Sequence, residues 1–297
     1  MDAIKEKFKY RDRCLRLMSK DGRFRASVIK NTNAANLAVE KHKLSGMAIQ
    51  YLAKTLSAAS LLSMFLKGEE RVIVDITSDN GIQRLFAEAM QVGEVRGFAE
   101  LSPDTGPGRY LEPGNGFLKV SRILYNRPEP LAGVVPLVVG DIASDLAYYL
   151  HQSEQIPSTV MLIAETDKED ATITRSGGII VQAMPGTTFR EILEIEQKLM
   201  DSEDFFDNVE QGLNSEDALR RVVPFDFEVV KTTPVDFFCR CSKDSFVGKL
   251  LTLESSEIED MKLSRQNELV CRYCNAHYYL EDADYDTILT TINSRKN

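Results

Sequence analysis

Two short cysteine pairs near the C-terminus constrain this chain more than any other feature. Cys239-Arg240-Cys241 and Cys271-Arg272-Tyr273-Cys274 are separated by 29 residues, so the last quarter of the sequence has to fold back on itself for the four sulfurs to meet. Four soft donors suit a closed tetrahedral shell, with zinc the expected ion and no open position left for catalysis. Strand side chains repeat every two residues, so an extended C-x-C presents both sulfurs on one face. C-x-x-C fits a tight turn with both sulfurs inward.

The same spacing permits a second chemistry. Residues i and i+2 of a strand have Cα atoms roughly 6.5 Å apart, near the upper limit of about 6.8 Å for a disulfide, and a loosened C-x-x-C turn falls well inside it. Each pair can therefore ligate a metal or close on itself. Zinc keeps its cysteines as thiolates, the form oxidants attack, and a sulfenic acid beside a second thiol condenses to a disulfide that no longer carries a ligand's charge.

At 297 residues with 43% apolar content, the chain can build an ordinary globular core plus something smaller. The formal net charge of −9 argues against a nucleic-acid platform, which would show a basic face. Met1 to Tyr10 alternates charges without a signal-type apolar core, so a cytoplasmic location is expected. The longest uncharged apolar-rich run, Thr55 to Leu66, is too short to span a bilayer. In a reducing cytoplasm, paired cysteines are metal ligands or redox sensors more often than permanent staples. Gly106, Gly108, Gly114 and Gly116 crowd one loop, but no Gly-Lys-Ser/Thr follows, so no nucleotide is expected.

Helical spacing predicts helices over Asn33 to His42, Ser45 to Lys67 and Asp141 to His151. Val72 to Ile76, Ile82 to Ala89 and Val95 to Ala99, punctuated by Asn80-Gly81 and Val92-Gly93, read as an antiparallel meander. Val160 to Glu165 and Ile179 to Ala183 read as further strands, the latter after Gly177-Gly178. Beyond Pro185-Gly186 the character changes: Thr187 to Thr232 holds twelve acidic against five basic side chains. Its scattered anchors, among them Phe189, Ile192, Leu199, Phe205, Val209, Leu213 and Leu219, suit helices that survive only by lying on a neighbour. The expected class is α+β: a mixed α/β core with antiparallel strands over 1–184, an acidic helical linker over 185–232, and a small zinc-binding domain over 233–297.

With the cysteine framework and the connector placed, the chain resembles the heat-shock protein 33 family, the redox-regulated 33 kDa chaperonins that act as holdases. The family's C-x-C and C-x-x-C map onto Cys239, Cys241, Cys271 and Cys274. Gly93-Glu94-Val95-Arg96-Gly97, Tyr148 through Ser153-Glu154-Gln155-Ile156-Pro157, and Gly177-Gly178-Ile179-Ile180-Val181-Gln182 are similar to its core signatures. Leu131-Ala132-Gly133 departs from an expected Tyr-Gln-Gly. The resemblance implies one zinc per chain when reduced, disulfides Cys239 to Cys241 and Cys271 to Cys274 when oxidised, unfolding client proteins as partners, a homodimer in the oxidised state, and no enzymatic activity, nucleic acid or membrane.

The blander readings are a non-switching zinc-containing binding or scaffold protein and, more weakly, a thioredoxin-like oxidoreductase, which lacks the βαβ frame around Cys271-x-x-Cys274. His277 could replace one sulfur in a Cys₃His site. Arg13 and Arg16 around Cys14 could lower its pKa, although such a cysteine is more often a spectator.

Overall fold

The computed structural model describes residues 11–103, 115–167, 172–202, 205–212 and 216–296. The contacts divide it into two compact units, Met1–Phe238 and Cys239–Asn297.

The first unit opens on a hairpin, β1 (Arg13–Ser19) and β2 (Phe24–Lys30), turning at Asp21-Gly22 with Gly22 at positive φ. Helices α1 (Thr32–His42) and α2 (Met47–Ser63) follow. Then come β3 (Arg71–Ser78), β4 (Ile82–Met90), β5 (Glu94–Leu101), β6 (Gly116–Ile123) and β7 (Leu131–Pro136). Helix α3 (Ile142–Gln152) leads to β8 (Ser158–Thr166) and β9 (Ile173–Ala183). Three helices of the acidic segment, α4 (Phe189–Met200), α5 (Phe205–Gly212) and α6 (Glu216–Val222), precede β10 (Phe227–Pro234) and β11 (Asp236–Phe237).

Two sheets result, one ordered β10-β1-β2-β9-β8 and the other β11-β5-β4-β3-β6-β7. Every pairing in them is antiparallel except β11 with β5. Helix α2 touches strands of both. Thirteen of its residues, from Ala48 to Ser63, are buried, as a helix enclosed on several sides requires. Its serines are satisfied internally: Ser57 Oγ donates to Asn31 Oδ1 at 2.9 Å, and Ser60 Oγ to the Leu56 carbonyl at 2.8 Å. Helix α3 is fixed at its start, where Lys54 reaches Asp141 at 3.2 Å and buried Asp145 accepts from the backbone of Val138, Val139 and Gly140 at 2.7–2.9 Å.

Two glycine signatures have steric causes. Gly93 sits at φ +95, where a Cβ would run into the Pro234 carbonyl, so only glycine lets the β10–β11 crossing pass the β4–β5 turn. Gly177 and Gly178 lie inside β9 and not before it: a Cβ on either would strike the Ile29 or Met161 carbonyl of a flanking strand.

The described acidic segment is helical over Phe189–Met200, Phe205–Gly212 and Glu216–Val222, but residues 227–234 form a strand paired with β1 from Phe227↔Ser19 to Pro234↔Arg13. The expected helical linker to 232 is therefore corrected there: Val229, Val230, Thr232 and Thr233 are β-branched and favour a pleated edge. Gly106, Gly108, Gly114 and Leu213 lie outside the described residues. Among the described residues, no helix is long and apolar enough to cross a membrane.

The helices of the acidic segment take their order from the sheet they lie on. Ile192, Ile195 and Leu199 of α4, Phe205 and Val209 of α5, and Leu219 of α6 with Val222 and Val223 join one buried cluster with Leu15, Leu17, Phe24, Ala26, Val28, Ile179, Val181 and Phe227. Helices of 12, 8 and 7 residues are marginal alone, whereas each fully buried anchor contributes about 1.5–3 kcal/mol. They therefore exist as the cover of an apolar sheet face.

Candidate metal centre

The second unit is too small for a large core. Its cluster comprises Ile258, Leu280, Tyr285, Ile288 and Ile292, with Val247, Leu250 and Met261 packed around it. The elements are α7 (Lys243–Leu250), α8 (Ser255–Leu263), the hairpin β12 (Glu268–Val270) and β13 (His277–Tyr279), and α9 (Asp282–Lys296). Each cysteine pair is held at the edge of one of these. Ser242, directly after Cys241, caps α7 by accepting from Ser245 N at 3.1 Å. Lys243 pairs with Asp284 at 2.6 Å, clipping the start of α7 to that of α9.

Cys271 and Cys274 occupy the tip of the β12–β13 hairpin. Cys271 N donates to the Ala276 carbonyl at 2.8 Å, and Asn275 N to the Cys271 carbonyl at 2.7 Å. Asn275 takes φ 53, a left-handed conformation that asparagine tolerates. The turn thus wraps backbone around both sulfurs.

The four Sγ atoms lie within 4.8 Å of one another. Cys239 to Cys271 is 3.8 Å and Cys241 to Cys274 is 3.4 Å. A tetrahedron with metal–sulfur bonds of about 2.3 Å has edges of about 3.8 Å, so the donor set fits a closed four-thiolate shell. Among the described residues this is the group able to hold a metal. The alternative with His277 is not assembled: its Nδ1 is 2.7 Å from Glu268 Oε1, on the exposed hairpin.

Burial raises the Cys271 and Cys274 thiols, and hydrogen bonding from Cys241 adds to the rise. At Cys241 burial also pushes upward, but hydrogen bonds led by Tyr278 outweigh it and the thiol is lowered. That hydrogen bond, with burial, pushes Tyr278 up to about 12. Four thiols this close cannot all ionise without a cation among them, and a cation is what this geometry accommodates.

Tyr278, absent from the sequence reasoning, completes the site. Its hydroxyl donates to the Cys241 carbonyl at 3.0 Å and sits 3.2 Å from Cys241 Sγ. The available signal was period two: Tyr278 stands between His277 and Tyr279, which both reach Glu268, so its side chain takes the other face. Cys14 stands apart from this chemistry. It is buried in β1, and desolvation raises its thiol, opposite to the lowering the flanking arginines would give.

Comparison with known proteins places this architecture. The family model described as Hsp33 protein matches residues 12–281. The chain belongs to the Hsp33 family. It is 34% identical to the 33 kDa chaperonin of Bacillus subtilis over 276 residues, covering 90% of this chain and 94% of that one. It is 30% identical to the 33 kDa chaperonin of Streptococcus agalactiae, covering 94% and 98%. The crystal structure of the Hsp33 homologue from Thermotoga maritima superimposes with a TM-score of 0.82 at 27% identity, over 97% of this chain and 100% of that one. The mixed α/β architecture with antiparallel sheets is thus that of a known Hsp33 structure, and the cysteine cluster is the part of the fold suited to a metal.

Proposed function

We propose that this chain is a redox-regulated holdase of the cytoplasm, not an enzyme, whose four cysteines hold one zinc when reduced. The observation that carries the reading is the covered sheet face: Leu17, Ala26, Val28, Val181 and Phe227 are fully buried beneath helices that have no core of their own. A surface of that kind, once bared, suits the apolar segments of unfolding client proteins.

Bound zinc would keep Cys239, Cys241, Cys271 and Cys274 as thiolates. One such thiolate attacks peroxide, giving a sulfenic acid and hydroxide; the neighbouring thiolate then displaces the sulfenic oxygen as a second hydroxide and a disulfide forms. Each disulfide removes two charged ligands, so the ion leaves a unit whose apolar cluster is small. Structural zinc contributes about 10–16 kcal/mol, as much as the whole stability of many domains, so this unit unfolds.

Disorder then spreads along the chain. Phe238 N donates to the Val95 carbonyl at 2.9 Å one residue before Cys239, so order in the sheet ends where the switch begins. Fraying β11 loosens β10, and β10 carries Phe227 into the same cluster as the anchors of α4 to α6. A homodimer in the oxidised state is part of the proposal.

The alternative is a zinc protein whose cysteines never switch. Aggregation of a heat-labile test protein, followed with reduced and with peroxide-treated protein while zinc release is recorded, separates the two. Suppression only after oxidation, in step with zinc release, supports the holdase. Equal behaviour of both samples refutes it.

A further inference from the structure

On the other face of β2, away from the covered cluster, Arg25 opens onto a recess of about 450 Å³. It lies where the end of α2 meets the residues that follow β6, and Phe65, Lys67, Arg122, Tyr125 and Gln182 share its lining. Its charges are poorly matched. Glu70 is engaged by the backbone N–H groups of Lys67 at 2.9 Å and Tyr125 at 3.3 Å, and Glu154 is engaged by Arg122. Among the described residues, Arg25 makes no ion pair with a carboxylate.

Its guanidinium is nevertheless held in place. Nε donates to Gln182 Oε1 at 2.8 Å, and the group lies 4.6 Å from the Phe65 ring centroid. That leaves both Nη groups of a pre-oriented fork without a hydrogen-bond partner among the described residues. Arg16 adds to the excess: in the β1–β2 register Met18 faces Arg25, so Arg16 lies on the same face two residues along, and its Nε is buried without a hydrogen-bond partner among the described residues. Burial, then the nearby Arg16 and Arg122, lower the pKa of Arg25, with Glu154 opposing.

Gathering guanidinium groups in a half-desolvated recess costs stability. What resolves the imbalance is an oxyanion, because two oxygens of a phosphoryl or carboxylate group match the paired N–H groups of a guanidinium. We propose that this recess is a binding site for a small polyanion bearing phosphoryl or carboxylate groups, gripped by Arg25 and Arg122. Lys67 stands at the rim, and Phe65 and Tyr125 wall the non-ionic part. Glu154 holds Arg122 in the free protein and competes with the ligand.

The test is calorimetric titration of the full-length reduced protein, in phosphate-free buffer, with inorganic pyrophosphate and with citrate. At least one probe should bind: preference for pyrophosphate assigns phosphoryl chemistry, preference for citrate carboxylate chemistry. Arg25→Gln should weaken binding about tenfold or more, with thermal unfolding in the absence of probe confirming that the variant folds. Exposed Lys67→Gln should weaken it by a smaller factor, and Glu154→Gln should tighten it by freeing Arg122. Two results overturn the proposal: neither probe binding wild type or Glu154→Gln at roughly millimolar concentration, the range of weak specific sites, or both probes binding Arg25→Gln and Lys67→Gln as they bind wild type.

Discussion

Cys241 Sγ lies 3.4 Å from Cys274 Sγ, a thiol of the other cysteine pair, and Cys239 likewise approaches Cys271. The reduced site therefore brings sulfurs together across the two motifs. Oxidation is nevertheless expected to join Cys239 to Cys241 and Cys271 to Cys274. Partners two or three residues apart stay tethered at little loop-closure cost as the disulfides form, while cross-motif partners drift apart as the metal is released and the small unit loosens. Peptide mapping of the oxidised protein checks this; predominant Cys241 to Cys274 bridges would mean that disulfides form within the intact site.

Removing one sulfur leaves a three-ligand site that cannot close. Reduced wild type should contain one zinc per chain, and Cys241→Ser or Cys274→Ser should lose it on mild chelation. Tyr278→Phe removes a hydrogen bond to a ligand and should lower zinc affinity by about tenfold, the lower end of outer-shell effects. Competition with a chromogenic chelator reads both.

The linker anchors give a complementary test that leaves the cysteines alone. Leu199 is fully buried in the cluster beneath α4, and Leu199→Ala should cost about 2–5 kcal/mol of local stability. The variant should suppress aggregation partly while reduced and reach full activity sooner on oxidation. An unchanged activation time course would separate α4 from the switch.

Much of this was legible in the sequence because it rests on local pattern. The meander β3–β5 announced itself through alternation and glycine turns, and the four cysteines through spacing alone. The hairpin β1–β2 carries the turn signal Asp21-Gly22, but Cys14-Leu15 and Leu17-Met18 set apolar residues side by side, so the first strand lacks a period-two pattern. What could not be read were long-range partners: that β10 returns to β1, that the linker anchors lie on Leu17 and Val28, or that Tyr278 reaches Cys241. Those follow from topology, to which composition is blind.

Asp12 offers a pH test of the core. It accepts from Ala34 N at 2.7 Å and Asn33 Nδ2 at 3.1 Å, yet burial outweighs these donors and raises its pKa to about 7. A carboxyl with a raised folded pKa binds more protons folded than unfolded between the ordinary carboxylate range and 7. Its contribution therefore falls as pH rises through that window. Chemical denaturation from pH 4.5 to 7.5 should show this decline in wild type and a flatter profile in Asp12→Asn; parallel profiles would contradict it.

The central claim, that zinc loss uncovers the sheet face by releasing α4 to α6, is tested most directly by hydrogen exchange read by mass spectrometry on reduced and oxidised protein, with holdase activity measured on the same samples. The account requires residues 189–222 and 239–296 to lose protection on oxidation while β3 and β8 keep theirs, and activity to rise with the linker's exchange. If activity appears while 189–222 stay as protected as in the reduced protein, the client surface lies elsewhere and the account is wrong.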